Sequence, residues 1–212
     1  MIGVIQGRLL EKYQGRYQAH PLGYWQKEFL IAKDLGLDCI EFILDFNDFN
    51  KNPLLSDKGI EEIQKICEES KVQVKTICAD YFMESPLHSE EELTARNSIK
   101  VLKSLLKSSL KLGITDIIIP CVDQSSLKTP KATGRFISTI RSILPLVERT
   151  GVNLCLETDL APQPFIELLE SFDSDKVTVN YDTGNSASLG YNPIEELELY
   201  GHKITDIHIK DR

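Results

Sequence analysis

The stretch "HKITDIHIKDR", residues 202–212, decides how the whole chain is read. It is a strand-like run of isoleucines with a histidine, a lysine and an aspartate at its far end. Side chains of an extended strand alternate between two faces, which puts Ile207 and Ile209 on one and Asp206, His208 and Lys210 on the other. The second face is polar, and a buried polar face needs a reason.

Six runs of the same kind precede it: "IGVIQG" (2–7), "DCIEFIL" (38–44), "VQVKTIC" (72–78), "TDIIIPC" (115–121), "VNLCLE" (152–157) and "KVTVNYD" (176–182). Amphipathic stretches lie between them. Ser89 to Glu92 reads as a capping box opening a helix that runs to Lys111. Thr129-Pro130 and Asn192-Pro193 each offer an N-cap with proline at the first helical position. Leu35-Gly36 and Leu112-Gly113 end two helices just before a strand.

Strands alternating with helices predict a parallel sheet covered by helices. Both an open doubly wound sheet and a barrel satisfy that alternation, but no GxGxxG or P-loop pattern follows any strand. The expected fold class is therefore α/β, a (β/α)8-type TIM barrel in one domain over residues 1–212. About seven β/α units are visible and the eighth strand is missing. Roughly 50 further residues would complete such a barrel; otherwise copies of the chain would have to cover its open edges as a homo-oligomer.

Lys and Arg total 24 against 32 Asp and Glu, and the net charge of −8 disfavours nucleic acid as a partner. The five cysteines lack CxxC spacing and sit mostly in apolar runs, as reduced core thiols of a cytoplasmic protein do. The start "MIGVIQGRLL" has no basic leader, and no run approaches the roughly 20 apolar residues of a membrane span, so no membrane partner is expected.

Catalytic groups of a barrel gather at the carboxyl ends of its strands. Keeping one parity along each strand selects Gln6, Arg8, Glu41, Cys78, Asp80, Glu157, Asp182, His208 and Lys210. Glu157, Asp182 and His208 come from three successive strands, and two carboxylates with one imidazole suit Mn²⁺, Mg²⁺, Co²⁺ or Zn²⁺. Each also has a plain structural reading. "DTGN" (182–185) is an ordinary turn, Glu157 can cap a helix, and His208 can be a hydrogen-bonded core residue.

The segments "GVNLCLETD" (151–159), "VNYDTGNSA" (179–187) and "IHIKDR" (207–212), with "GVIQGRL" (3–9), resemble the xylose isomerase-like TIM-barrel superfamily, in particular its sugar phosphate isomerase/epimerase branch. That resemblance implies a divalent metal held by Glu, Asp, His and Glu on strands five to eight. The first three fall on Glu157, Asp182 and His208, and the fourth has no counterpart up to Arg212. It further implies a carbohydrate substrate, a sugar, sugar phosphate or related ketose, isomerised or epimerised through an enediolate with Glu157 as the base.

In that reading Arg8, Lys210 and Arg212 fix a phosphate or carboxylate, Gln6 and Glu41 bind hydroxyls, and Asp80 faces the substrate. Tyr13, Tyr17, Trp25, Tyr81 and Phe82 follow strands one and three, where such aromatics pack on the sugar, though Trp25 also reads as a helix anchor. A dehydratase of an inositol-like ketone would use the same enolate chemistry, and a non-catalytic incomplete barrel would only bind a ligand. The AP endonucleases of the superfamily place a histidine three residues after the strand-six aspartate, and Asn185 stands there instead.

Overall fold

A computed structural model describes residues 1–211. Seven strands follow one another around a parallel sheet in sequence order: β1 (Gly3–Ile5), β2 (Cys39–Ile43), β3 (Thr76–Cys78), β4 (Asp116–Cys121), β5 (Asn153–Thr158), β6 (Val177–Asp182) and β7 (Ile204–His208). Each pairs with its sequence neighbours, so the sheet is the curled wall of an incomplete α/β barrel. The helices between the strands are α1 (Gln26–Asp34), α2 (Asp57–Ser70), α3 (Tyr81–Glu84), α4 (Glu92–Leu112), α5 (Pro130–Thr150), α6 (Pro162–Glu170), α7 (Thr183–Leu189) and α8 (Pro193–Tyr200).

The main core lies between the sheet and these helices. Ile40, Phe42, Ile77, Ile117, Ile119, Leu154, Leu156 and Val179 point outward into it and meet Phe29, Ile63, Leu102, Leu106, Phe136, Ile140 and Leu169 from the helices. The alternate strand residues point inward and many are polar: Glu41, Asp116, Asn153, Glu157, Thr178, Asn180 and Asp182. Burial of the apolar face, at about 25 cal/mol per Å², holds the wall in place and leaves the inner face free for polar groups.

Local signals account for most boundaries. Thr129 Oγ1 accepts from the Ala132 N–H at 3.2 Å and Asn192 Oδ1 from the Ile194 N–H at 3.0 Å, so both proline-preceding caps form. α4 closes on Gly113, whose φ of +67° is the left-handed conformation that glycine adopts at no steric cost. The capping box at Ser89 does not form. Glu92 turns forward to pair with Arg96 one turn on, and Ser89 Oγ accepts only from the Glu91 N–H at 3.2 Å. The third strand is also shorter than the apolar run from 72 to 78. Val72 and Val74 are buried ahead of it, in a segment joined to the sheet by a bridge between Cys39 and Gln73 and by the Lys75 carbonyl, which accepts from the Thr115 N–H at 2.9 Å.

One irregularity positions the site. Val179 pairs with Ile204, but Asn180 pairs with Asp206, so Thr205 is an extra residue on β7. Ile204 packs on the helix-side core, whereas the Thr205 hydroxyl lies 2.9 Å from that of Thr178 and 3.1 Å from Cys155 Sγ, on the inner side. From Asp206 onward the alternation is reset. Asp206 and His208 face inward, and Ile207 and Ile209 face outward with 54% and 89% of their surface exposed. No helix among the described residues is long and apolar enough to cross a membrane.

Candidate metal centre and active site

Three strand ends bring Glu157, Asp182 and His208 together. Asp182 is the last residue of β6 and pairs in register with His208, the last of β7, while Glu157 stands near the end of β5. His208 Nδ1 lies 3.6 Å from Glu157 Oε2 and 3.8 Å from Asp182 Oδ2. The three residues can each present one ligand atom with all such atoms within 4.8 Å of one another.

The two carboxylates are held differently. Asp182 Oδ1 accepts from the Asn185 N–H at 2.8 Å and so caps α7, leaving Oδ2 buried without a hydrogen bond. Lys210 Nζ stands 2.7 Å from that Oδ2, in ion-pair contact but outside hydrogen-bond geometry. Glu157 is gripped at both oxygens. Asn180 Nδ2 donates to Oε2 at 2.9 Å, and Asn185 Nδ2 donates to Oε1. Asn180 Nδ2 also lies 3.0 Å from His208 Nδ1.

Burial pushes Glu157 up to about 7, the charge of Asp182 adding to it and that of His208 opposing. Burial would raise Asp182 too, but His208, Lys210 and the Asn185 N–H stabilise its anion and hold it at about 2. Burial alone would lower His208, yet Asp182, Glu41 and Glu157 outweigh it and lift the imidazole to about 11. The result is a cation-seeking pocket in which His208 and Lys210 now supply the positive charge.

A divalent ion fits this donor set. One buried carboxylate oxygen has no hydrogen bond, the second carboxylate is fixed in orientation, and an imidazole edge faces both. Mixed oxygen and nitrogen donors suit Mn²⁺, Mg²⁺, Co²⁺ or Zn²⁺. A second grouping, Glu41 with Asp206 and His208, also presents one ligand atom from each residue within 4.8 Å of the others.

Glu157, His208, Glu41 and Asp206 line a cavity of about 1100 Å³ inside the curled wall, and Asp182 stands behind them. Glu41, Asp80, Glu157, His208, Lys210 and Arg8 all border it. Arg8 has no acidic partner among the described residues and only a long contact, 3.5 Å, to Gln18 Oε1. Asp80 accepts from Gln18 Nε2 at 3.0 Å and from the Cys78 thiol at 3.2 Å. Gln6 is fully buried instead, its Oε1 taken by the Ile43 N–H at 3.1 Å and by His20 Nδ1 at 3.0 Å. Arg212 lies outside the described residues.

The aromatics divide in the same way. Trp25 is a helix anchor, packed on Phe29 and Phe42. Tyr81 and Phe82 are buried against each other and Phe49 in the helix-side core, so they do not border the cavity. Burial pushes the Cys78 and Cys121 thiols up, which leaves them protonated and poorly nucleophilic.

Three residues of the site were not singled out as functional by the sequence. Asn180 shares the parity of Asp182, and Asn185 follows it by one helical turn, so both positions were open to a parity argument. Glu28 gave no such signal: its carboxylate crosses the β1–α1 turn to accept from the Gly7 N–H at 2.8 Å and the Leu9 N–H at 3.0 Å. Gly7 has φ +89°, and a Cβ there would lie 2.3 Å from the Tyr17 carbonyl oxygen. This turn therefore has one available shape, and it places Arg8 at the cavity rim.

A parallel barrel wall that gathers acidic and imidazole groups at the carboxyl ends of its strands has the layout of a TIM-barrel active-site face. The chain belongs to the xylose isomerase-like TIM barrel family, whose profile matches residues 29–212. It is similar to SgbU of Haemophilus influenzae, named as a candidate L-ribulose-5-phosphate 3-epimerase, with 24% identity over 88% of this chain and 68% of that protein. L-ribulose-5-phosphate 3-epimerase UlaE of Salmonella heidelberg is 22% identical over the same shares. Among solved structures, a D-psicose 3-epimerase of Clostridium cellulolyticum with D-tagatose superposes with a TM-score of 0.77 at 18% identity, over 98% of this chain and 72% of that one. A xylose isomerase-like TIM barrel protein of Mycobacterium smegmatis in complex with magnesium gives 0.73 at 19% identity, over 99% and 74%.

Proposed function

We propose that the protein is an isomerase or epimerase of a sugar, sugar phosphate or related ketose, dependent on Mn²⁺, Mg²⁺, Co²⁺ or Zn²⁺ and working through an enediolate. Residues 1–212 act as one domain in this reading. The observation that carries it is the convergence of Glu157, Asp182 and His208 at one edge of a cavity large enough for an open-chain sugar. The names of the relatives support the same substrate class.

Asp182, His208 and Glu157 would hold the ion, which when bound supplies Lewis-acid polarisation of a carbonyl and stabilises the enediolate. Glu157 would take the carbon-bound proton. Its two asparagine donors fix the carboxylate plane, so the accepting oxygen needs little reorganisation. If the proton returns to the neighbouring carbon on the same face, Glu157 carries the carbon-bound proton of an aldose–ketose isomerisation, while the hydroxyl proton passes from one of the two neighbouring substrate oxygens to the other. Epimerisation requires a second group on the opposite face of the substrate. Arg8, unpaired at the rim, and Lys210 are the cations placed to meet a phosphate or carboxylate. Glu41 and Asp80 face the cavity as hydroxyl partners.

The test is a titration of the purified chain with Mn²⁺ and Co²⁺, followed by a screen of ketoses and ketose phosphates with the products resolved by chirality. Stoichiometric binding that is lost in Glu157→Ala, with turnover of a ketose, is the expected result. A folded chain that binds no divalent ion overturns the reading.

A further inference from the structure

His208 has two edges, and they face different company. On the Nδ1 edge stand Glu157 Oε2 at 3.6 Å, Asp182 Oδ2 at 3.8 Å and the Asn180 amide nitrogen at 3.0 Å. On the Nε2 edge stands Glu41 Oε1 at 3.0 Å. Glu41 comes from β2, on the far side of the curled sheet from β7, so this contact spans the interior rather than joining strand neighbours. We propose that Glu41 is a positioning residue: it accepts the Nε2–H of His208, fixes the tautomer, and turns Nδ1 toward the metal-binding carboxylates.

The argument is one of donors and acceptors. A carboxylate only accepts, so the imidazole edge beside Glu41 carries the proton. The Asn180 amide nitrogen only donates, so in the neutral imidazole that binds an ion, after the Nδ1 proton of the imidazolium has left, the edge beside Asn180 is the one with the lone pair. Both neighbours select the same tautomer, with the proton on Nε2 and Nδ1 free to bind an ion. Glu41 Oε1 and His208 Nε2 are both buried, neither has a hydrogen bond to any other group, and they stand 3.0 Å apart, within hydrogen-bond distance of each other. The Glu41 residue is 7% exposed, so its carboxylate has little water to compete for the role. Metal-binding histidines characteristically give their second N–H to a carboxylate, which sets the ring angle and raises ligand basicity.

The backbone supports the carboxylate in turn. The Glu41 carbonyl accepts from the Gln6 N–H at 3.0 Å, and Glu41 itself pairs with Ile5 in the β1–β2 register. Its position is therefore set by two strands. The inference rests on the metal-site reading above and assigns Glu41 a role other than binding a substrate hydroxyl. It also separates Glu41 from the alternative grouping with Asp206, in which Glu41 would itself hold a second ion.

The experiment compares Co²⁺ and Zn²⁺ binding by the wild-type chain, Glu41→Gln and Glu41→Ala, with a thermal melt of each. Glu41→Ala is expected to weaken binding by about 10–100-fold, the usual effect of losing an outer partner of a metal-bound histidine. Glu41→Gln keeps an acceptor oxygen and is expected to recover most of that loss. Nitrogen-15 spectra of the Zn²⁺-loaded wild type should show the His208 proton on Nε2. Binding by Glu41→Ala equal to wild type, in a folded chain, overturns the positioning role and leaves the metal site standing. Two ions bound by wild type and one by Glu41→Ala overturns it in favour of a second ion site. No binding by wild type overturns both readings together.

Discussion

Asp182 and His208 lie directly opposite each other at the ends of β6 and β7, with Oδ2 and Nδ1 3.8 Å apart. Asp182 performs two tasks from this position. Its Oδ1 caps α7 through the Asn185 N–H, and its Oδ2 faces the imidazole and Lys210. The two tasks can be separated by substitution.

Asp182→Asn keeps a good helix cap and removes the charge, whereas Asp182→Ala removes both. Asn and Asp are equivalent N-caps, and loss of such a cap costs about 1 kcal/mol. Asp182→Asn should therefore lose divalent-ion binding and melt lower only by the lost ion pairing with Lys210 and His208, whereas Asp182→Ala should lose binding and melt lower still through the missing cap. Isothermal titration with Mn²⁺ beside a thermal melt checks both. Equal melting of the two variants would show that the cap carries no stability.

Asn185 holds Glu157 Oε1 from the first turn of α7. Asn185→Ala should lower kcat on the order of 100-fold, the cost of about 1 Å of misplacement at a reacting group, with a smaller effect on KM. Steady-state kinetics on the substrate found by the ketose screen measures the split. A change confined to KM would instead make Asn185 a substrate contact.

Lys210 places its ammonium 2.7 Å from Asp182 Oδ2, where it opposes the approach of a dication. Lys210→Met should tighten Mn²⁺ binding, by about tenfold or less because the lysine is partly solvated and screened. Weaker binding in Lys210→Met would mean that the lysine orients the carboxylate more than it repels the ion. Measurement at two salt concentrations separates the two, since only the repulsion is screened.

Two histidines away from the cavity set an acid limit on stability. Burial lowers His20 to about 4, with Asp45 opposing, and burial with the charge of Arg135 lowers His88 to about 4. An unfolded chain titrates its imidazoles near 6.5. Between those values the unfolded state binds more protons, so stability is full above about pH 6.5 and is lost progressively as the pH falls toward 4. The melting temperature should drop across that window, and the double variant His20→Asn, His88→Leu should show a shallower drop. Parallel curves for the two proteins would remove the histidines as the cause.

The alternation of apolar and polar residues made the fold legible, because a parallel sheet buries its outer face under helices and repeats that pattern strand after strand. Glu157, Asp182 and His208 were legible as candidates for a related reason: each stands at or next to the end of a strand on the inward parity. What local sequence did not show was partnership across space. Gln6 has the right parity, yet two donors from other segments claim its oxygen. Ser89 to Glu92 has the right letters for a capping box, yet Arg96 competes for Glu92. Glu41 was visible as inward-facing, but its contact with His208 depends on the curl that brings β2 round to β7.

The extra residue at Thr205 has a bearing on how relatives of this chain should be compared. Alternation along β7 runs in two phases, one up to Ile204 and another from Asp206. Were Thr205 paired regularly with Asn180 instead of bulged out, Asp206 would fall opposite Tyr181 and Ile207 opposite Asp182, which would turn His208 outward and Ile207 inward. A single gap in an alignment at this point therefore exchanges a candidate ligand for a hydrocarbon. Homologues deserve to be matched through the pairing of Asp182 with His208, counted backward from the strand end, rather than forward from the glycine and lysine that lead into it.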